Sequence, residues 1–285
     1  MKIRHKKVNR SIGGDIVLFF LLGIFALLMT LPMVYAISSS IKPLSELWIF
    51  PPKFFVTNPT LRNYKDLFSL LSDSWVPFSR YVFNTLLVAV VGTLGHVVIA
   101  SLCAYAISKH RFYGSGVMFN IIVMSLMFTT AVTSVPQYLI MSALGLVNTY
   151  WALILPAFAS SLGLFLMKQF MDAMVPDAVL EAARIDGAGE MRTIFTVVLP
   201  MVKPAWLTLM VLSFNQLWNI SGGIFIQSED LKTLNYVISQ IVAGGFARAG
   251  TSSAAIVFMM ALPILVFMLT QSSQVETMAS SGIKE

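Results

Sequence analysis

Six stretches of this chain are apolar for long enough to cross a hydrocarbon layer, and this spacing limits the fold more than any other feature. They are residues 16–37, 82–107, 117–141, 150–170, 205–224 and 254–270. A spanning helix needs roughly 20 mostly apolar residues. Only 11% of the 285 residues are charged and 57% are hydrophobic, whereas a soluble domain carries about 25% charged residues. So little charge does not cover a water-facing surface. The sequence therefore reads as an all-α integral membrane protein with six transmembrane helices. Residues 16–271 form one domain between tails at 1–15 and 272–285.

The net charge of +6 does not mark a nucleic-acid binder, because its basic residues cluster at the ends of apolar runs. Lys2, Arg4, Lys6, Lys7 and Arg10 precede the first run, and Lys109-His110-Arg111 separates the second from the third. Basic flanks stay in the cytoplasm, so the amino terminus is expected inside, and six spans return the carboxyl terminus to the same side. The first run is longer than the apolar region of a signal peptide. Segment 142–149 has no charge and is expected outside. Segment 38–81 is expected there too, with its basic residues partly offset by Glu46, Asp66 and Asp73. Its five prolines (43, 51, 52, 59, 77) with Trp48 and Trp75 predict irregular chain and short helices on the outer face.

The long inward segment 172–200 carries the most specific pattern. Pro176 suits a helix start, and Asp177 complements the positive end of the helix dipole. Val179, Ala182, Ala183 and Ile185 predict a small apolar face, with Glu181, Arg184 and Asp186 beside it. Gly187 predicts a helix stop at positive φ. Residues 190–198 predict a second short helix, closed by Leu199-Pro200. The expected product is a helix–turn–helix knob that docks into something on the cytoplasmic side.

The spacing Glu181-Ala182-Ala183, then Gly187, then Val197-Val198-Leu199-Pro200 resembles the EAA loop of binding-protein-dependent ABC importer permeases. Val197 stands where that pattern has Ile. Further along the chain, Pro59-Thr60-Leu61-Arg62-Asn63-Tyr64, Asn84-Thr85-Leu86, Ala104-Tyr105-Ala106, Gly145-Leu146-Val147-Asn148-Thr149-Tyr150 and Trp218-Asn219 are similar to the carbohydrate branch. That branch includes the smaller membrane subunit of maltose-type transporters.

The resemblance implies a MetI-like permease fold whose EAA loop is a coupling helix, with Glu181, Ala182, Ala183, Arg184, Asp186 and Gly187 at an ATPase contact. It implies a heterodimer with a second permease subunit, two ATP-binding subunits, an extracytoplasmic solute-binding protein and a bacterial cytoplasmic-membrane location. ATP and Mg would be bound by the ATPase partners, with no cofactor in this chain, which holds no Gly-x-x-x-x-Gly-Lys-Ser/Thr phosphate loop. Gly187→Asp is expected to abolish coupling through clash and charge. Segment 222–253 would face the binding protein through Gly244 and Gly245, and truncation after Glu276 is expected to weaken assembly.

The remaining polar residues read in two ways. Asn84, Gln137, Asn215 and Asn219 either line a path for a hydroxyl-rich solute or join neighbouring helices. His96 is either functional or a neutral group bonded to another helix. Pro136, Pro156 and Pro263 are expected to kink their helices. No catalytic constellation and no metal-ligand spacing is present. A secondary transporter is a weaker reading, since the six stretches contain no Asp or Glu for ion coupling. Transport of a solute other than a sugar stays open as an alternative.

Overall fold

A computed structural model describes residues 12–72, 75–110 and 112–281. The described residues are helical with no strand. In chain order the helices are α1 (Ile12–Ser40), α2 (Leu44–Leu47), α3 (Arg62–Ser72), α4 (Phe78–Lys109), α5 (Ser115–Ser125), α6 (Thr130–Ala143), α7 (Trp151–Phe158), α8 (Ser161–Met174), α9 (Asp177–Ile185), α10 (Glu190–Thr193), α11 (Leu199–Met201), α12 (Lys203–Trp218), α13 (Leu234–Ala243) and α14 (Ala249–Ser281). A π-helical turn, Ile194–Val198, joins α10 to α11. The basic tail 1–11, Arg111 and residues 282–285 lie outside the described residues.

Four helical stretches are long and apolar enough to span a membrane: Gly13–Ser40, Phe78–Lys109, Trp151–Met174 and Ala249–Gln271. The third and fifth apolar windows are not straight spans. α5 and α6 meet at 113°, and the Glu190–Met201 arm meets α12 at 84°. Counting each bent pair as one span restores six. Hydropathy records composition and is blind to direction, which is why the bends were invisible in sequence. The fifth window also ends early, because α12 stops at Trp218. α14 starts at Ala249 and stays helical to Ser281, so the helix does not end at residue 271.

The chain divides into two compact units, residues 12–70 with 244–258, and 71–243 with 259–281. In the first, the apolar window of α1 has no buried residue, while the turn after it is tightly held. The Lys42 ammonium, 2% exposed, donates to the carbonyls of Lys53 and Phe54 and sits 5.4 Å over the Tyr35 ring. Asn63 Nδ2 donates to the Ser40 and Lys42 carbonyls at 2.8 and 2.7 Å. The Glu46 carboxylate accepts from the Thr57 amide and hydroxyl, both at 2.8 Å, and from the Asn58 amide at 3.3 Å. The proline-rich segment is thus short helices and ordered turns.

The second unit is built around α4, which packs against α7, α8 and α12. Its apolar core includes Ala104, Met167, Met171, Val198, Val202 and Ala205. α8 approaches α4 at Gly163, where a Cβ would come within 2.1 Å of His96 Nε2. His96 itself is buried, with Nδ1 2.6 Å from Ser213 Oγ on α12. It therefore joins three helices, the second of its two sequence readings. Pro136, Pro156 and Pro263 sit inside their helices. The sharp breaks fall elsewhere, at 126–129 and at Val202.

Candidate functional site

The carboxyl-terminal end of α4 and the 172–200 segment form one hydrogen-bonded assembly. Lys109, in the last turn of α4, donates through Nζ to the Val175 carbonyl at 2.6 Å and pairs with Asp177 Oδ1 at 3.2 Å. Its side chain is only 7% exposed. The ammonium therefore satisfies the chain entering α9 and neutralises its first acidic residue at once. Ser108 Oγ donates to Asp172, whose other oxygen is 2.5 Å from Lys168 Nζ. Tyr105 donates its hydroxyl to Glu190 Oε2 at 2.7 Å. Glu190 also pairs with Arg184 at 3.3 Å and lies 3.5 Å from His110 Nε2. One carboxylate thus ties α4, α9 and α10 together.

The turn after α9 closes as the sequence requires. The Ala188 amide reaches back to the Ala183 carbonyl and the Gly187 amide to the Arg184 carbonyl, both at 3.0 Å. Gly187 has φ +76°. This is the paired reverse bonding that ends helices at a left-handed glycine. A Cβ added at Gly187 would meet nothing within 4 Å, so any clash from a side chain there must come from another polypeptide.

The expected single face of Val179, Ala182, Ala183 and Ile185 is not what forms. Leu180 and Ala183 turn inward and are buried, whereas Ala182 is exposed and Ile185 is 85% exposed. Helical periodicity separates them, because Ala183 and Leu180 are three apart while Ala182 and Ile185 share the next stripe. Val175, Leu180, Ile194 and Val198 join the same core as Tyr105, Met167 and Met171. The outward rim is Glu181, Ala182, Arg184, Ile185, Asp186 and Gly187. Five of the six residues assigned to the ATPase contact are on that rim, and Ala183 is a packing residue behind it.

The second short helix is also different in detail. It runs past Leu199-Pro200 to Met201 through the π turn. Proline has no amide hydrogen and crowds the carbonyl four residues back, and a widened turn just before it relieves both constraints. Trp206 Nε1 donates to the Leu199 carbonyl at 3.1 Å, bracing the elbow at Val202.

The polar residues expected along a path do not come together. Asn84 is wholly buried, and its amide is engaged by the Asp230 and Lys232 carbonyls and by the Tyr150 hydroxyl. Its three bonds make it a joint between segments, the second of its two sequence readings. Asn215 on α12 and Asn219, which caps that helix, are both exposed, with Asn219 Nδ2 2.9 Å from Asn215 Oδ1. Asn235 donates to the Asn219 carbonyl. Beside them Val211, Phe214, Pro263, Ile264 and Phe267 line a groove of about 230 Å³. Gln137 is half-buried on α6 and outside that groove. Gly244 and Gly245 are exposed in the turn after α13, with Gly245 at φ +69°. Segment 222–253 is mostly helical, since α13 buries Leu234, Ile238 and Ile241. Among the described residues no group of His, Cys, Asp and Glu is arranged to hold a metal ion.

The chain is similar to known proteins over most of its length. Residues 96–275 match the family described as binding-protein-dependent transport system inner membrane component. This chain belongs to that family. The permease is 33% identical over 210 residues to the sn-glycerol-3-phosphate transport system permease protein of Yersinia enterocolitica, covering 73% of this chain and 74% of the relative. It is 27% identical over 245 residues to the polygalacturonan/rhamnogalacturonan transport system permease protein of Bacillus subtilis, with 84% and 82% covered. Its fold matches a chain from the crystal structure of a bacterial ABC transporter involved in the import of the acidic polysaccharide alginate. That match has a TM-score of 0.76 at 25% identity and covers 93% of this chain and 99% of the other. The permease is thus a multi-pass membrane component of an ABC importer with the MetI-like fold.

Proposed function

We propose that the permease contributes half of the translocation path of an importer for a sugar or oligosaccharide, driven by ATP hydrolysed on separate subunits. The observation that carries this reading is the 172–190 knob, pinned to α4 through Lys109 and Glu190 and exposing a rim from Glu181 to Gly187. A protrusion anchored to a bundle core transmits displacement, whereas a loose loop absorbs it. Glu181, Ala182, Arg184, Asp186 and Gly187 are assigned to the ATPase cleft, with Ile185 at the tip. A nucleotide biases the permease only if ATPase contacts differ between its states.

The assembly is read as a heterodimer with a homologous permease, two ATPase subunits that hold ATP and Mg, and an extracytoplasmic solute-binding protein. The termini and the knob are assigned to the cytoplasmic side of the bacterial membrane. The Lys109-His110 turn and the 172–200 segment, grouped by charge on one side, share hydrogen bonds, which supports the assignment. The 142–149 turn and segment 225–234 share bonds at the other end of α4. The carbohydrate assignment draws on relatives named for polygalacturonan/rhamnogalacturonan and alginate. Asn215 and Asn219 supply exposed carboxamides suited to hydroxyl groups, and Gly244 and Gly245 are assigned to the binding-protein side.

Site-directed crosslinking tests the reading. Ile185→Cys, in the assembled transporter, is expected to crosslink to the ATPase subunit with a yield that changes on adding Mg–ATP. Failure to crosslink from Ile185 or Ala182 in any nucleotide state overturns it.

A further inference from the structure

α4 is fastened at both ends. It has 32 residues, a length of about 48 Å at 1.5 Å per residue, with neither a proline nor a break. Its inner end holds the knob. Its outer end holds segment 225–234 through buried polar groups. Asn84 Nδ2 donates to the carbonyls of Asp230 and Lys232 at 2.8 and 2.9 Å, while its Oδ1 accepts from the Tyr150 hydroxyl at 2.7 Å. The Tyr81 hydroxyl donates to Glu229 Oε1 at 3.1 Å, and Thr85 Oγ1 accepts from the Leu234 amide at 2.8 Å.

A second clasp comes from the turn before α7. Asn148 Oδ1 accepts from the amides of Gln227 and Ser228 at 3.1 and 2.8 Å, and its Nδ2 donates to Ser228 Oγ at 2.7 Å. Its own amide donates to the Phe225 carbonyl at 2.8 Å. Asn148 has φ +65°, a conformation asparagine tolerates better than other side chains. The residue that turns the chain is therefore also the one that grips the neighbouring segment.

We infer that Asn84, Asn148 and Tyr150 are positioning residues that make segment 225–234 part of one rigid body with α4 and the knob. Displacement at the ATPase end then reappears at the outer segment without loss in the intervening helix. The inference rests on the coupling reading of the knob. Its physical warrant is a continuous packed element whose two ends are each fixed by several bonds, so neither end moves alone. A loop that only closed the chain between α12 and α13 would not need to engage both polar atoms of the buried Asn84 and of the half-buried Asn148.

The test is an intrachain distance in the assembled transporter in lipid nanodiscs. Spin labels are placed at Ala178→Cys and Gln227→Cys in a Cys103→Ser background. Double electron–electron resonance is recorded without nucleotide, with Mg–ATP, and with Mg–ATP plus orthovanadate, on samples whose ATPase turnover is verified. One narrow maximum at the same distance in all three states is expected. A maximum that shifts with nucleotide overturns the inference, and if Ile185 still crosslinks to the ATPase the coupling reading survives that failure. Asn148→Gly removes the carboxamide and keeps the positive φ, and Tyr150→Phe removes one hydroxyl. Each is expected to broaden the distribution and make it nucleotide-dependent, while the thermal midpoint falls only slightly. A narrow, unchanged distribution in both variants overturns the assignment of these residues.

Discussion

Tyr105 and Glu190 are 85 positions apart, and the Tyr105 hydroxyl donates to the Glu190 carboxylate at 2.7 Å. This bond joins the buried core beside the last turns of α4 to the base of the knob. Tyr105→Phe removes it while keeping the ring in the core. The expected loss is about 1.5 kcal/mol of stability, the lower end of the range for a bond to a charged group, because Glu190 is half-exposed. Hydrogen exchange should accelerate across 185–193 and little elsewhere. Equal acceleration throughout the chain would mean that the bond holds the whole bundle instead of the knob.

Lys109→Met keeps the length of the side chain and deletes the charge that serves Val175 and Asp177. A bond to a charged group contributes about 1.5–3 kcal/mol, more than the exposed Arg184–Glu190 pair, which belongs to a class near 0–1 kcal/mol. Transport by Lys109→Met should therefore fall further than transport by Arg184→Met, measured as ATP-dependent uptake at matched protein levels. The reverse order would place the anchor at Glu190.

Gly187 separates fold from docking. Gly187→Ala strains the left-handed turn by about 1–2 kcal/mol and adds only a methyl in open space. Gly187→Asn suits the turn better but projects a larger group from the rim. Thermal unfolding should rank Asn above Ala, while uptake should rank Ala above Asn. If stability and uptake rank the two variants alike, the rim at Gly187 touches no partner.

Gly163→Ala should be harmful for a reason local to His96, since the new Cβ falls 2.1 Å from His96 Nε2 and 2.9 Å from Leu209 Cδ1. Overpacking of this kind costs about 1–3 kcal/mol. The damage should shrink in a His96→Ala background, giving strong non-additivity in a double-mutant cycle of unfolding midpoints. Additive effects would show that the two helices part freely there.

The Glu46 carboxyl is raised by burial, but hydrogen bonds from the Thr57 hydroxyl and amide and from the Asn58 amide, with the nearby Lys42 charge, bring it below its ordinary value. A carboxylate held below its unfolded pKa contributes stability at neutral pH, and that contribution is lost as pH falls through the lowered folded value. Proteolysis within 47–60 should therefore accelerate only as the pH drops below the ordinary carboxylate range, near about 4. Glu46→Gln should be cut faster at neutral pH and lose most of that acid dependence.

Local patterns in the sequence foretold the features that depend on neighbouring residues. Pro176, Asp177 and Gly187 announced the start and stop of α9, and the EAA spacing announced the knob. What escaped was set by distant partners. Nothing around Glu190 points to Tyr105, and nothing around Asn84 points to Tyr150 or to the Asp230 and Lys232 carbonyls. A polar residue in an apolar run is equally consistent with a path or a joint until its bonds are seen. Ala183 was grouped with Ala182 because both are small, although one residue of helix turns them about 100° apart. The bend at 126–129 fell away from Pro136, and the bend at Val202 lies between Pro200 and Pro204 and not at any of the three mid-span prolines where a kink was expected.

The elbow at Val202 gives this fold a bell crank. The arm from Glu190 to Met201 meets α12 at 84°, with Val198 and Val202 wholly buried at the bearing. On the proposed coupling, a sideways shove on the short arm would rock the long one, which carries the exposed Asn215 and is capped by Asn219. On the same coupling, stiffness at that corner would set how much of each stroke arrives at the carboxamides.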